Sequence, residues 1–225
     1  MMEIRLNSSM SEVEDDMDHY YHTTFLKEIG ERGQKKLLAS DVLVIGCGGL
    51  ASSALTYLAS TGVGHITIVD DDVVAEHNLP RQILFEYKDI GKKKVEAAKN
   101  RLEALNPDVK VIAIDKRLDE KNAEEIIKCH EIVLDCTDNF ETKFLVNDTC
   151  MKLGIPFVIA GVSDYQGQVC TCIQNKSHDF KYLFSVLPVN IDEKYKEADQ
   201  GVFPPAIGVI GDIAASEVIK YLLGI

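Results

Sequence analysis

Long apolar runs and clustered positive charge are both missing from this sequence of 225 residues. No stretch approaches the roughly 20 apolar residues that a membrane-spanning helix needs, and the N-terminus lacks the pattern of a signal peptide. Lysine and arginine number 24 against 36 aspartates and glutamates, which gives a formal net charge of −12. Nucleic-acid sites are built from clustered Lys and Arg, so this balance argues against such partners. We therefore expect no membrane partner and no nucleic-acid partner.

Internal repeats and low-complexity segments are absent as well, and the composition is that of an ordinary globular protein, with 46% hydrophobic and 27% charged residues. The chain is long enough to bury the core of one domain. Several of the six cysteines lie in apolar segments, which favours buried thiols in a reducing, cytoplasmic setting. These cysteines are Cys47, Cys129, Cys136, Cys150, Cys170 and Cys172.

Strand and helix patterns alternate along most of the chain. Residues 1–22 are interpreted as a flexible, acidic N-terminal segment and residues 23–225 as a single domain. The alternation predicts an α/β fold, with a Rossmann-like, mostly parallel sheet, flanking helices and extra strand structure in the C-terminal part. Strands are predicted at 42–45, 65–69, 109–114, 131–134, 156–160 and 168–174, and helices at 50–60, 92–105, 119–128, 140–153 and through 210–222. The segment 180–202 is predicted to be an irregular loop.

A glycine-rich turn follows the first predicted strand and opens a helix. Gly46-Cys47-Gly48-Gly49-Leu50-Ala51 matches the G-x-G-x-x-G/A pattern, in which backbone N–H groups approach phosphate oxygens. Asp70 ends the next strand, about 20 residues further on, where an acid binds ribose hydroxyls. This combination fits NAD or FAD as well as ATP.

Charged residues beyond the loop favour ATP. Arg81 and Lys94 supply cations that a triphosphate and departing pyrophosphate need and that NAD does not. Asp138 follows the fourth strand, where ligands of parallel sheets bind, and an acid there is able to hold Mg²⁺ against phosphate oxygens. The alternative interpretation makes Asp138-Asn139 only the N-cap of the next helix. No Ser, His or Lys stands out as an acid for hydride transfer.

Together these residues resemble the ThiF/MoeB/HesA family, relatives of the adenylation domain of ubiquitin-activating enzymes. The resemblance runs from about Phe25 to the C-terminus, in matching order and spacing. Its markers are GCGGLA at 46–51, the D-x-D of Asp70 and Asp72, N-x-x-R-Q at 78–82, IGKKKVEAA at 90–98, LNP at 105–107, DCTDN at 135–139, GQV at 167–169 and GVIGDIAASEVIKYL at 208–222.

The resemblance implies an ATP-dependent adenylyltransferase that activates the C-terminal carboxylate of a ubiquitin-like sulfur-carrier protein in thiamine- or molybdopterin-type pathways. It also implies ATP and Mg²⁺ as cofactors and a homodimer. By the same resemblance Arg81, Lys94 and Asp138 are the catalytic residues, and Asp138 is the Mg²⁺ ligand. The implied nucleotide-binding residues are Gly46, Gly48, Gly49, Asp70, Asp72, Asn78, Arg81, Gln82 and Lys94.

The chain departs from the family at three places. His22-Thr23 stand where many members carry an Arg-Gln pair that reaches into the partner's site. No thiol precedes Gly201-Val202, where some relatives carry the cysteine of a thioester or persulfide. DFKYLF at 179–184 replaces the first C-x-x-C pair of the usual zinc site. We expect no structural zinc, and we expect Cys170 and Cys172, on a predicted strand, to point to opposite faces.

Three other functions remain open at this stage. The substrate carboxylate could instead belong to a peptide terminus or a modified nucleoside. The missing arginine and thiol would suit a catalytically silent nucleotide-binding scaffold. The glycine loop alone would also suit an NAD-dependent oxidoreductase.

Overall fold

The computed structural model describes residues 15–177, 179–184 and 201–225. A 3₁₀ turn over Asp15–Tyr20 precedes the first helix, and further turns lie at Glu76–Asn78 and Tyr87–Asp89. The helices are α1 (Tyr21–Thr24), α2 (Gly30–Ala39), α3 (Gly49–Ser60), α4 (Lys94–Leu105), α5 (Ala123–Ile127), α6 (Phe140–Leu153), α7 (Phe180–Phe184) and α8 (Pro204–Leu223). The strands are β1 (Asp41–Ile45), β2 (His65–Val69), β3 (Lys110–Ile114), β4 (Ile132–Asp135), β5 (Phe157–Ser163) and β6 (Gln166–Cys172).

In the described residues the strands form one sheet in the order β3-β2-β1-β4-β5-β6. The first five run parallel, and β6 returns antiparallel to β5 after a tight turn. The chain order reverses between β1 and β4, so a crevice opens at the carboxyl ends of these two strands, where ligands of such sheets bind. This arrangement confirms the predicted α/β class with a mostly parallel sheet.

Each face of the sheet carries its own apolar core. One face is covered by α2, α3, α4 and α8, and the other by α5, α6 and α7. Strands β1 and β4 are buried along nearly their whole length, as continuous apolar runs in parallel sheets require. None of the described helices is long and apolar enough to cross a membrane.

Most predicted elements are present with boundaries shifted by a few residues. β5 and β6 are paired over seven residues each, so the hairpin is longer on the β5 side than predicted. The segment predicted to be irregular begins with the helix α7, while residues 185–200 lie outside the described residues.

The domain extends further toward the N-terminus than the predicted boundary at residue 23. Tyr20 is only 1% exposed, and its hydroxyl donates a hydrogen bond to Asp108 Oδ2 at 3.0 Å. Asn106 Nδ2 donates to the same hydroxyl at 2.9 Å. Tyr20 therefore belongs to the packed domain, while residues 1–14 of the predicted acidic segment lie outside the described residues.

Candidate active site

The glycine-rich turn and the loop after β4 touch each other at the carboxyl edge of the sheet. Gly46 has a φ of +86°, and its N–H donates to the Val69 carbonyl oxygen at 2.9 Å. A Cβ at Gly46 would lie 3.1 Å from the carbonyl carbon and oxygen of Cys136. Both the left-handed backbone and the close approach favour glycine here. The turn is therefore fixed against the DCTDN loop.

Gly48 and Gly49 open helix α3 but meet different surroundings. A Cβ at Gly49 would lie 2.8 Å from Ile207 Cγ2 and 3.2 Å from the Arg81 carbonyl oxygen. A Cβ at Gly48 would have one protein neighbour, Gln82 Nε2, at 3.7 Å. Gly49 is required by packing, whereas Gly48 borders open space at the N-terminus of α3, where N–H groups and the helix dipole attract anions.

Asp70 ties the glycine-rich turn to the end of β2. Its Oδ2 accepts a hydrogen bond from the Cys47 N–H at 2.7 Å, and its Oδ1 accepts from the Asp72 N–H at 2.8 Å. Burial raises the pKa of Asp70, although these two N–H groups and the Lys94 ammonium favour the charged form. Each carboxylate oxygen keeps a second lone pair, which suits the ribose hydroxyls predicted for this position.

Lys94 is held beside this acid by Asp72. Its Nζ lies 2.7 Å from Asp72 Oδ2, while its own backbone N–H donates to the Asp72 carbonyl oxygen at 3.0 Å. The lysine is 5% exposed, and the Asp72 side chain is 68% exposed. A phosphate group entering here would compete with an exposed carboxylate for a cation that is already in position.

Asn78, Arg81 and Gln82 form one wall with the turn after β2. Asn78 Oδ1 accepts from the Ala75 N–H at 3.0 Å, and Arg81 Nη1 donates to the His77 carbonyl oxygen at 2.7 Å. Gln82 is 4% exposed, and its Oε1 has no hydrogen-bond partner among the described residues. A buried amide oxygen without a partner is costly, so this acceptor is available to a group that binds at the wall.

Arg81 also borders a small apolar cavity of about 260 Å³. Its lining includes Gly49, Ser53 and the prolines Pro204 and Pro205 at the start of α8. None of the predicted acids lines this cavity. The cavity therefore borders Gly49 and Arg81 without including the acids predicted for the site.

Asp138 is exposed and makes no hydrogen bond or ion pair with the described residues. Its neighbour Asn139 is the N-cap of α6, since Asn139 Oδ1 accepts from the Thr142 N–H at 2.9 Å. The alternative interpretation of this dipeptide as a cap is therefore correct for Asn139 and leaves Asp138 available for another role. The carboxylates of Asp70, Asp71 and Asp72 lie within 4.8 Å of one another, and Asp138 is not part of that group.

The sequence interpretation missed a buried ion pair under the DCTDN loop. Asp135 is 0% exposed, and its Oδ1 accepts from the Thr137 N–H at 2.8 Å and the Thr137 hydroxyl at 2.7 Å. Lys143 Nζ lies 3.3 Å from the same oxygen and donates to the Ala160 carbonyl oxygen at 2.8 Å. The sequence signal that could have indicated this pair is a lysine placed among the apolar residues of α6. The pair holds the loop that presents Asp138.

The cysteines near the site are packing residues. Cys136 is buried, and burial raises the pKa of its thiol well above the ordinary range. Cys47 is also buried, and burial together with the Asp70 carboxylate raises the pKa of its thiol. Neither thiol is therefore a nucleophile at neutral pH, because nucleophilic attack requires the thiolate. Their burial agrees with the buried thiols expected from the sequence.

The prediction for Cys170 and Cys172 is wrong. The two sulfur atoms lie 3.5 Å apart on the same face of β6. The physical reason is the strand period of two: residues i and i+1 face opposite sides, whereas i and i+2 face the same side. The hydrogen bond from Cys172 lowers the pKa of Cys170 to about 7, while the same hydrogen bond and burial raise the pKa of Cys172. The argument against shared metal ligation thus fails, while the expected absence of a structural zinc stays a prediction.

Comparisons with known proteins identify the relatives of this chain. The model of the ThiF family matches residues 20–225. The chain is 37% identical over 216 residues to the sulfur carrier protein adenylyltransferase of Thermus thermophilus, covering 94% of this chain and 79% of that protein. It is also 37% identical over 211 residues to the sulfur carrier protein ThiS adenylyltransferase of Escherichia coli, covering 93% of this chain and 83% of that protein.

A solved structure of E. coli MccB with ATP has the same fold, with a TM-score of 0.76 and 27% sequence identity. The match covers 85% of this chain and 58% of MccB. The chain therefore spans less than two thirds of that protein's length.

Proposed function

Because this chain belongs to the ThiF family, we propose that it is an ATP-dependent adenylyltransferase for the C-terminal carboxylate of a ubiquitin-like sulfur-carrier protein. The carboxylate attacks the α-phosphorus of ATP, an acyl-adenylate forms, and pyrophosphate leaves. The names of the two sulfur-carrier relatives support this reaction and this substrate. They do not support the oxidoreductase that the glycine loop alone would allow.

The observation that carries the proposal is that hydrogen-bond donors, acceptors and a cation lie together at one end of the sheet. The glycine turn offers N–H donors, Asp70 offers acceptors, and Lys94 offers a cation that is already fixed. These groups bind and orient ATP and stabilise the charge that develops on the phosphates. Such catalysis by positioning needs no protein nucleophile, which agrees with the buried, protonated thiols of Cys47 and Cys136.

Arg81, Asn78 and Gln82 complete the phosphate side in this proposal. Arg81 is anchored through one guanidinium nitrogen to the His77 carbonyl and keeps other donors for phosphate. Gln82 lies with Nε2 nearest Gly48, and its Oε1 has no partner among the described residues, so in this proposal its side-chain amide contacts the nucleotide. Asn78 shapes the turn through its bond to Ala75.

The exposed Asp138 carboxylate suits Mg²⁺, because this ion prefers a few carboxylate ligands together with phosphate oxygens and water. Asp138 would hold the ion, which when bound neutralises phosphate charge. The Asp135–Lys143 pair sets the position of the loop that carries this ligand.

The proposal includes a reducing, cytoplasmic setting and a homodimer. The described cysteines are all free thiols, which supports the setting. Exposed apolar side chains on α3, near α2 and at the C-terminus support the dimer: Leu26, Tyr57 and Ile225 are each more than half exposed.

Substitution of Asp138 tests the assignment. ATP–pyrophosphate exchange with the carrier present is expected to be abolished in Asp138→Ala, while the far-ultraviolet circular dichroism is unchanged. Asp71→Ala is the matched control, because Asp71 is an exposed member of the acidic group without a proposed role. Retained exchange in Asp138→Ala would overturn the metal-ligand role, and equal loss in both variants would overturn the distinction between these acids.

A further inference from the structure

Two cysteines on the edge strand β6 form a contact that the proposed active site does not use. Cys170 Sγ and Cys172 Sγ lie 3.5 Å apart and share a hydrogen bond. They are the only described cysteines whose sulfur atoms are recorded in contact. Cys129 is exposed, whereas Cys47, Cys136 and Cys150 are buried.

The sulfur separation distinguishes a bridging ion from a disulfide. Two thiolates on one tetrahedral ion, each about 2.3 Å from it, are about 3.8 Å apart. The observed 3.5 Å needs a change of only a few tenths of an ångström. A disulfide needs sulfur atoms about 2.05 Å apart and Cβ atoms about 3.8 Å apart. Residues i and i+2 of a strand have Cα atoms about 6.8 Å apart, at the outer limit for a disulfide. Closing that bond would deform β6, whereas holding an ion would not.

The position of the pair allows an ion to enter from one side. β6 is the last strand of the sheet, so only β5 is hydrogen-bonded to it. Cys172 is 1% exposed and packs in the apolar core beneath α6 and α7, while Cys170 is partly exposed. Cys172 is therefore fixed in the core, whereas Cys170 is partly accessible to solvent. Among the described residues no third His, Cys, Asp or Glu completes a close group with them.

In place of the expected absence of zinc, we propose that Cys170 and Cys172 form a two-sulfur chelate for a thiophilic divalent cation of the Zn²⁺ class. Each thiol releases its proton to solvent as its sulfur–metal bond forms, and water or an added ligand occupies the remaining positions. The strand register places Cys170 opposite Ile159 of β5, which pairs in turn with Asp135 of β4. The proposed site therefore lies on the edge strand, two strands away from the strand that carries Asp135.

Titration of the reduced, nucleotide-free full chain with Cd²⁺ tests the proposal, because sulfur-to-cadmium charge transfer absorbs in the near ultraviolet. We expect one equivalent of Cd²⁺ per chain and a band that Zn²⁺ competes away. Cys170→Ser and Cys172→Ser are expected to lose the band, with affinity weakened by more than about 10-fold, the effect of losing even an outer-shell partner. Cys129→Ser is the matched control and keeps the band, because its sulfur is exposed and far from the pair in sequence.

Cys172 is buried, so Cys172→Ser could fail to fold, and Cys170→Ala at the partly exposed position then decides. A missing band in the wild-type protein, or a band that persists in folded Cys170→Ala, would overturn the chelate. Loss of two titratable thiols on air oxidation, dependent on both cysteines and accompanied by no Cd²⁺ band, would replace it with a disulfide. None of these outcomes depends on adenylation activity.

Discussion

At the scale of single residues, a substitution of Gly48 is expected to weaken ATP binding while changing stability little. A Cβ at this position would meet only Gln82 Nε2, at 3.7 Å. Gly48→Ala is therefore expected to cost no more than about 1 kcal/mol of unfolding free energy, the usual penalty of alanine at an N-cap. ATP binding is expected to weaken about 10-fold, or 1.4 kcal/mol, because the methyl group enters the space for phosphate.

Isothermal titration calorimetry and urea denaturation measure these two quantities for the Gly48 variant. Gly49→Ala is the comparison. Its Cβ would lie 2.8 Å from Ile207 Cγ2, so this variant is expected to lose stability as its main effect. Unchanged ATP affinity in folded Gly48→Ala would contradict the proposed phosphate position.

Lys143 and Asp135 illustrate a second residue-scale effect. Both are nearly inaccessible to solvent, so Lys143→Met leaves a buried carboxylate with no cation. Removing one partner of a buried ion pair costs about 3–5 kcal/mol, and we expect a loss of that size in urea denaturation. Adding Asp135→Asn to the Lys143→Met variant is expected to restore part of the lost unfolding free energy.

Lys152→Ala is the control on the same helix, because its ion pair with Glu124 is mostly exposed. Such pairs contribute about 1 kcal/mol or less. Equal losses in the two lysine variants would contradict the buried-pair account.

Site residues could be predicted from the sequence where they belong to a known motif. They could not be predicted where only tertiary contacts bring them to the site. The glycine turn and Asp70 were predicted from spacing, and the structure joins them through the Cys47–Asp70 hydrogen bond. Lys143 carries no motif, and only folding brings it to Asp135. For Cys170 and Cys172 the strand was predicted and the side-chain period was misapplied, so the sulfur contact was missed.

At the scale of elements, α3 and α8 pack closely because small residues lie between them. A Cβ at Gly211 would lie 2.2 Å from Ser53 Oγ and 2.4 Å from the Leu50 carbonyl oxygen. Gly211→Ala is therefore expected to lower the unfolding free energy by about 1–3 kcal/mol, the cost of overpacking. Thermal denaturation is the measurement.

Gly208→Ala lies one turn away on α8 and serves as the control. A Cβ there meets nothing within 4 Å. Replacing a glycine inside a helix then stabilises by about 0.5–1 kcal/mol. Stabilisation by both variants would show that helix propensity, and not the contact between the helices, governs Gly211.

Element types were predictable because the periodicity is strong, and element ends were less so. β1 and β2 were predicted to within one residue, since both are short apolar runs bounded by polar residues. The helix α5 is shorter than predicted because an Asp119 turn precedes it, with Asn122 N donating to Asp119 Oδ1. Tyr20 could not be placed from sequence, since its burial depends on Asn106 and Asp108, more than 80 residues away.

At the scale of the whole molecule, the proposed dimer has a candidate surface. A groove of about 550 Å³ is lined by the apolar residues Leu26, Ile29, Tyr57, Ile219 and Ile225, and also by Glu28, Asp212 and Lys220. We expect the wild-type chain to sediment as a dimer and Tyr57→Asp to sediment as a folded monomer, because the added carboxylate would have to be desolvated in the interface.

Ile112→Lys is the control for the dimer. Ile112 is 59% exposed on the edge strand β3 and does not line the groove. This variant is expected to leave the sedimentation unchanged. A monomeric wild-type chain in analytical ultracentrifugation would contradict the proposed homodimer, and a dimeric Tyr57→Asp would move the interface elsewhere.

The central claim is that the whole molecule activates the terminal carboxylate of a sulfur carrier. ATP–pyrophosphate exchange, with Mg²⁺ present, against a panel of ubiquitin-like carriers ending in Gly-Gly tests it most directly. The account predicts exchange that one carrier supports and that the same carrier lacking its last two glycines does not. Confirmed ATP binding without exchange for any carrier would contradict it, and would favour a nucleotide-binding scaffold or a different carboxylate.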